Sequence, residues 1–344
     1  MGDIKASIPK RYASIDLLRC LAFLFVVIFH SFLNIGHSFV TQDGFSVWIA
    51  DVFRFLSISC IGLYLMISGY LRCNNTSIVS CYRGLVSVLV GYLLTCMVVI
   101  PVRHFLLDQV KTFTEWIESI FKFTAISYGW YVEMFIGLSL LIPFINMALK
   151  YIGENKKHMY VLAAALLFMT ALPGITTKEI APDYWRIAYP ITYYVLGAIV
   201  RKLQPEISTW LGLLEAFMMA GLMALYTISS GVRTYKEQKP QFEFQDLWIV
   251  FIVFFLFISL YRVSIPDKLA KVLAFMSSGC FCGYLISSVF DAYFYKLVPQ
   301  WKNPDDYFLI FICVTIPIYI ASMLCGVILQ KITDLIVRRK RTPK

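Results

Sequence analysis

Ten apolar stretches, most of them close to the length of a bilayer-spanning helix, divide this chain and leave it few ways to fold. They lie near 17–36, 48–71, 84–105, 128–149, 159–175, 184–200, 208–230, 246–262, 271–293 and 306–330. A hydrocarbon core about 30 Å thick takes roughly 20 helical residues to cross. A backbone in lipid has no water to bond, so such stretches must be helices that satisfy their own amides. The expected fold is therefore all-α: a polytopic transmembrane helical bundle of about ten spans, forming a single domain over 1–344. Charged residues make up only 15% of the chain, against about 25% in a soluble domain, so most of the surface must meet lipid or other helices. The first 16 residues are polar and basic. The run after them is too long for the core of a signal peptide and lacks a small-residue cleavage site. No linker, low-complexity segment or internal repeat stands out.

Orientation follows from the basic residues. With the N-terminus inside, the inner segments hold nineteen Lys and Arg and the outer ones ten. That bias predicts both termini in the cytoplasm: an N-terminal segment 1–16 and a basic tail 331–344. The net charge of +10 is thus accounted for by topology and by anionic lipid beside the RRKR run at 338–341. Membrane lipid is the expected partner, and nucleic acid is not.

The first stretch carries the polar residues that constrain function most. Arg19 and His30 bracket the ten apolar or small residues CLAFLFVVIF. Eleven steps of 100° end about 20° past three full turns, so both side chains share one helix face about 16 Å apart. Asp16 and His37 fall near the same stripe. Such a stripe should face the bundle interior, and ionisable residues there are functional candidates by default. The bland reading makes Arg19 an interfacial anchor whose stem snorkels, and gives His30 a hydrogen bond to a neighbouring helix. An imidazole, however, has the basicity to take a proton from a hydroxyl or to carry an acyl group. Asp16 joins His30 as a catalytic candidate, and it either orients Arg19 or caps the first helix.

Other residues are weighed in the same way. Ser68-Gly69 are small enough to let helices approach closely, or they contact substrate. Trp130 and Tyr131 suit an interfacial belt or a binding site. Glu133 stands within the fourth stretch and Arg54 within the second, each an expected partner for the other. Of nine cysteines, Cys20, Cys60, Cys96, Cys280, Cys282, Cys313 and Cys325 sit in apolar runs and read as small buried hydrophobes. Cys280 and Cys282 have no third ligand at metal spacing, so no metal site is expected.

Several patches in order along the chain carry a resemblance. SIDLLRCLAFLFVVIFHSF at 14–32, with its arginine, ten residues and histidine, resembles the opening of the acyltransferase-3 family of integral membrane O-acyltransferases. GLYLMISGYLR at 62–72, YGWYVEMFIGLSLLIPF at 128–144, YPITYYVLGAIV at 189–200 and SSGCFCGYLISSVFDAY at 277–293 resemble later family segments. The layout is most similar to short bacterial surface-polysaccharide O-acetyltransferases of the enterobacterial-common-antigen type. Two positions depart. Ser287 stands where many members have a histidine, and only Arg72, with Arg83 further on, stands where some have a clustered basic motif.

The resemblance implies a multi-pass protein of the bacterial cytoplasmic membrane. It also implies an acyl-CoA donor on the cytoplasmic side, with acetyl-CoA the expected donor. The acceptor is then a hydroxyl of a surface polysaccharide or lipid-linked glycan. Arg19, Arg72 and Arg83 would gather at the inner face, where guanidinium groups suit the phosphates of CoA. His30, higher on the same stripe, would act as general base or take the acyl group covalently. Ser68, Trp130 and Tyr131 are candidate donors to an oxyanion, and Glu133 a candidate substrate contact. The rival reading is a transporter or flippase for a glycan or lipid intermediate, with Arg19 and His30 as relay residues. A third is an inactive scaffold in polysaccharide assembly.

Overall fold

The structure, a computed structural model, describes residues 12–34, 45–153, 155–172, 182–229, 243–298 and 307–339. His37, most of the loop 231–245, residues 1–11 and the tail from 340 onward lie outside that set. The described residues contain helices and no strand.

The helices are α1 (Ala13–Asn34), α2 (Phe45–Ile58), α3 (Cys60–Arg72), α4 (Ile78–Phe105), α5 (Phe113–Phe121), α6 (Trp130–Ile152) and α7 (Lys156–Thr170). A 3-10 turn at Asp183–Ala188 leads into α8 (Tyr189–Leu203), followed by α9 (Thr209–Ser229), α10 (Leu247–Leu260), α11 (Asp267–Ser278) and α12 (Cys280–Leu297). Then α13 (Tyr307–Ile310) runs through a π-helical turn at Phe311–Thr315 into α14 (Ile316–Arg339). The described part of each of the ten apolar stretches is mainly helical. Among the described residues, six spans are long and apolar enough to cross a membrane, and seven if α11 and α12, bent by 62°, count as one. The difference from ten has a simple cause. α7 and α8 have 15 residues each and α10 has 14. At 1.5 Å per residue they reach only about 21–23 Å, short of a core about 30 Å thick.

α1 is the central element. It packs against α2, α3, α10, α11, α12 and α14, and its most apolar window is 61% buried, against 33% in α4 and in α9. Those two helices present apolar faces outward, as Met97 and Leu222 do. Around α1, two helix pairs cross at backbone distance. In the first, a Cβ on Gly69 of α3 would run into the Tyr194 carbonyl of α8, and one on Gly197 into the Met66 carbonyl. In the second, a Cβ on Gly326 of α14 would meet the Gly279 carbonyl and the Gly283 amide beside α12. Lipid tails are as apolar as leucine, so close backbone packing has to hold such helices together.

Some of the charge expectations are redrawn. Arg54 bonds Asp51, one turn back on its own helix, at 3.5 Å, while Glu133 is exposed. Asp16 lies in the first turn of α1 rather than at its cap, where a carboxylate still favours the positive end of the helix dipole. Cys313 is exposed, whereas Cys20, Cys60, Cys96, Cys280 and Cys282 are buried.

Candidate functional site

A cavity of about 330 Å³ opens beside α1. α1 contributes Arg19 and Val26, two turns apart on one face, and α3 contributes Ile61, Tyr64 and Ser68 at helical spacing. Tyr131 and Phe135 come from α6, and Cys280, Phe281 and Tyr284 from α12. Ser277 and Ser278 enter because the bend at Gly279 turns the end of α11 toward the opening. Gln330 of α14 closes the wall.

One end of this cavity is organised by Arg19. Its Nη1 donates to Asp16 Oδ1 at 3.3 Å, and the Ser277 hydroxyl donates to the same oxygen at 2.6 Å. The Tyr64 hydroxyl donates to the Arg19 carbonyl at 3.4 Å. The Asp16 side chain is 2% exposed and that of Arg19 33% exposed, so the carboxylate is interior and the guanidinium faces open space. The aspartate therefore holds the arginine by its inner side and leaves the outer side free for an anion.

His30 lies one turn beyond Val26 on the same face of α1. It does not line the cavity itself but meets it through two tyrosines. Its imidazole stacks on the Tyr128 ring, 3.8 Å between centroids and 8° from parallel. The Tyr128 carbonyl accepts from the hydroxyl of Tyr284, a cavity residue, at 2.8 Å. The Tyr128 hydroxyl donates to Asp291 Oδ2 of α12 at 2.5 Å. His30 Nδ1 and Asp291 Oδ1 are buried without a hydrogen-bond partner among the described residues. Phe244 packs edge-on to Phe29 and stacks on Trp130. Arg186 holds the segment bearing Phe244 through Asp246 at 2.5 Å and Glu243 at 3.5 Å.

The residues singled out from sequence divide into groups. Arg19, Ser68 and Tyr131 share the cavity, Asp16 stands directly behind Arg19, and His30 is joined to it through Tyr128. Trp130 and Glu133 line a second cavity of about 760 Å³, with Tyr184, Trp185 and Pro190 beside α6 and α8. Arg72 is turned toward α4, where its Nη2 donates to the Cys81 carbonyl at 3.1 Å. Arg83 is exposed. Neither lines the cavity with Arg19. Sequence reasoning missed Tyr64, Tyr128, Tyr284 and Asp291. Asp291 carried a usable signal, since it is a carboxylate inside an apolar run. Among the described residues no three His, Cys, Asp or Glu side chains gather to hold a metal. The arrangement thus offers a cation at one end of an apolar chamber and an imidazole with an unpartnered Nδ1 beyond the other.

The family model described as an acyltransferase domain matches residues 12–330, nearly the whole chain. No curated protein and no solved structure matches it significantly.

Proposed function

The chain belongs to the acyltransferase-3 family of membrane acyltransferases, and from that premise we propose an acyl-CoA-dependent O-acyltransferase. Its donor is acetyl-CoA, bound from the cytoplasmic side with both termini on that side. Its acceptor is a hydroxyl of a surface polysaccharide or a lipid-linked glycan precursor, in the manner of the enterobacterial-common-antigen type. One observation supports this most: a single chamber has the half-open guanidinium of Arg19 at one end and connects through Tyr284 and Tyr128 to His30 at the other.

In this reading Arg19 binds a phosphate of the donor, and the thioester lies among Ser68, Tyr131 and Tyr284. His30 removes the proton of the acceptor hydroxyl as its oxygen attacks the thioester carbonyl carbon. The tetrahedral oxyanion takes a hydrogen bond from a hydroxyl in the chamber wall. The carbon–sulfur bond then breaks, the acyl group stays on the acceptor oxygen, and the thiolate recovers the proton from His30. Arg72 and Arg83 contribute charge near the donor's entry, and Trp130 and Glu133 contact the acceptor from the neighbouring cavity.

The test is transfer of labelled acetyl from acetyl-CoA in membranes, with the acyl content of the cell-surface glycan measured with and without the gene. Labelled glycan that depends on the chain is the expected result. An unchanged glycan, together with purified protein that shows no saturable acetyl-CoA binding, would overturn the reading.

A further inference from the structure

We propose that Tyr128 and Asp291 form a positioning pair for His30, an inference that rests on His30 acting as the base in acyl transfer.

An imidazole on a helix can rotate about its last bond, and a base that rotates spends little time aimed at its proton. Here the plane of the ring is set by a parallel stack on Tyr128. Tyr128 is itself held at both ends. Its carbonyl accepts from Tyr284, whose ring also stacks on it at 5.7 Å and 24°. Its hydroxyl donates to Asp291. The turn that places it is tight: a Cβ on the next residue, Gly129, would run into the Phe123 carbonyl. Tyr128 is therefore fixed by α12 from one side and by its own turn from the other, and it presents one face to α1.

A purely structural role accounts poorly for Asp291. It is 2% exposed, and a carboxylate inside a membrane bundle is expensive. An apolar residue of similar size would pack there at lower cost. Only one of its oxygens is used, and Oδ1 has no partner among the described residues. What Asp291 adds is an acceptor strong enough to hold a phenol in one orientation. The phenol and the carboxylate are 163 residues apart in the chain, so the contact also ties the start of α6 to α12 on the His30 side.

The experiment uses the full chain in nanodiscs. Steady-state transfer from acetyl-CoA is measured for Tyr128→Phe, Asp291→Ala, the double variant and Asp291→Asn. The rate at which diethyl pyrocarbonate modifies His30 is read in parallel by peptide mass spectrometry. Tyr128→Phe and Asp291→Ala should each lower kcat by about 10- to 100-fold, with the donor KM held within about twofold. The double variant should be no worse than either single one, because both remove the same hydrogen bond. Asp291→Asn keeps an oxygen that accepts the phenol proton, so it should restore kcat to within about fivefold of wild type. His30 should be modified faster in both damaged single variants. Multiplying losses in the double variant, an asparagine as damaging as alanine, or an unchanged rate at His30 would each overturn the pair. A wild type that transfers no acetyl would instead remove the proposed function, and the modification rates would still test the pair.

Discussion

At the Arg19 end of α1 the ionisable groups find one another within a single turn, and at the His30 end they do not. Asp16 and Arg19 are three residues apart and bonded, with Ser277 completing the carboxylate. His30 has no such neighbour: the residue it lies on comes from the turn before α6, and that residue's acceptor comes from α12. A charge pair made within one helix forms as the helix forms. An arrangement made from three elements exists only when the bundle is complete, and its unsatisfied atoms are tolerated because the packing holds them. In the proposed function, the first end holds a charge steadily and the second keeps a basic nitrogen in reserve.

The sharpest way to break this contrast is to remove the reactive nitrogen. His30→Ala should lower kcat by about 10²- to 10⁴-fold, the usual contribution of a positioned base, and leave acetyl-CoA affinity and membrane insertion intact. Labelled-acetyl transfer in membranes reads it, and wild-type-like transfer would end the assignment. Next comes Arg19→Lys, which keeps the charge and loses the planar fork. Donor affinity in nanodiscs should fall by about 5- to 150-fold, the value of one charge-assisted hydrogen bond. Equal affinity in wild type, Arg19→Lys and Arg19→Ala would take Arg19 out of the donor site. Asp16→Asn should do less, because the amide oxygen still accepts from Ser277. A loss of about fivefold or less in donor affinity is expected, and a loss as large as that of Arg19→Ala would make Asp16 a direct participant.

The smallest effect is expected far from both ends, at the capping box of α5. There Glu115 accepts from the amide and hydroxyl of Thr112, and these bonds hold its carboxyl below the usual carboxylate range. The cap is fully formed above the ordinary pKa of a glutamate and is lost as pH falls through the lowered value. Between pH 5 and 8 it should not change, and Glu115→Gln should leave acyl transfer as it is. A pH profile of transfer that shifts in this variant would show that the two ends of α1 are not the only groups that set it.

The same contrast decides what could be read from the chain beforehand. The Arg19–Asp16 pair and the placing of His30 on the Arg19 face depend only on helical periodicity, and both were legible. The partners of His30 depend on which helices are neighbours, and no period in a sequence states that. The pairing of Glu133 with Arg54 failed for a related reason. Asp51, three residues from Arg54, was the nearer carboxylate, and contacts at that spacing form first. Hydropathy marked every long apolar helix, but among the described residues six or seven spans are long enough to cross. It also led to Cys313 being read as buried, whereas the thiol is exposed, because in a bilayer an apolar side chain is as well placed outward as inward. Trp130 and Tyr131 are adjacent in sequence and line different cavities, since neighbours on a helix point 100° apart.

The glycine crossings have a mechanical consequence. α3 meets α8, and α12 meets α14, backbone to backbone, so that a side chain at the glycines would force each couple apart. The central chamber takes walls from both couples: Tyr64 and Ser68 from one, Tyr284 and Gln330 from the other. If each couple moves as a unit, a change in the chamber's width is a shear between the couples on either side of α1 rather than the bending of single helices. Spin labels on α3 and α8 should keep one separation when acetyl-CoA is added, while labels on α3 and α12 report any change of width. A separation between α3 and α8 that moves with the donor would mean that the couples come apart in the working cycle.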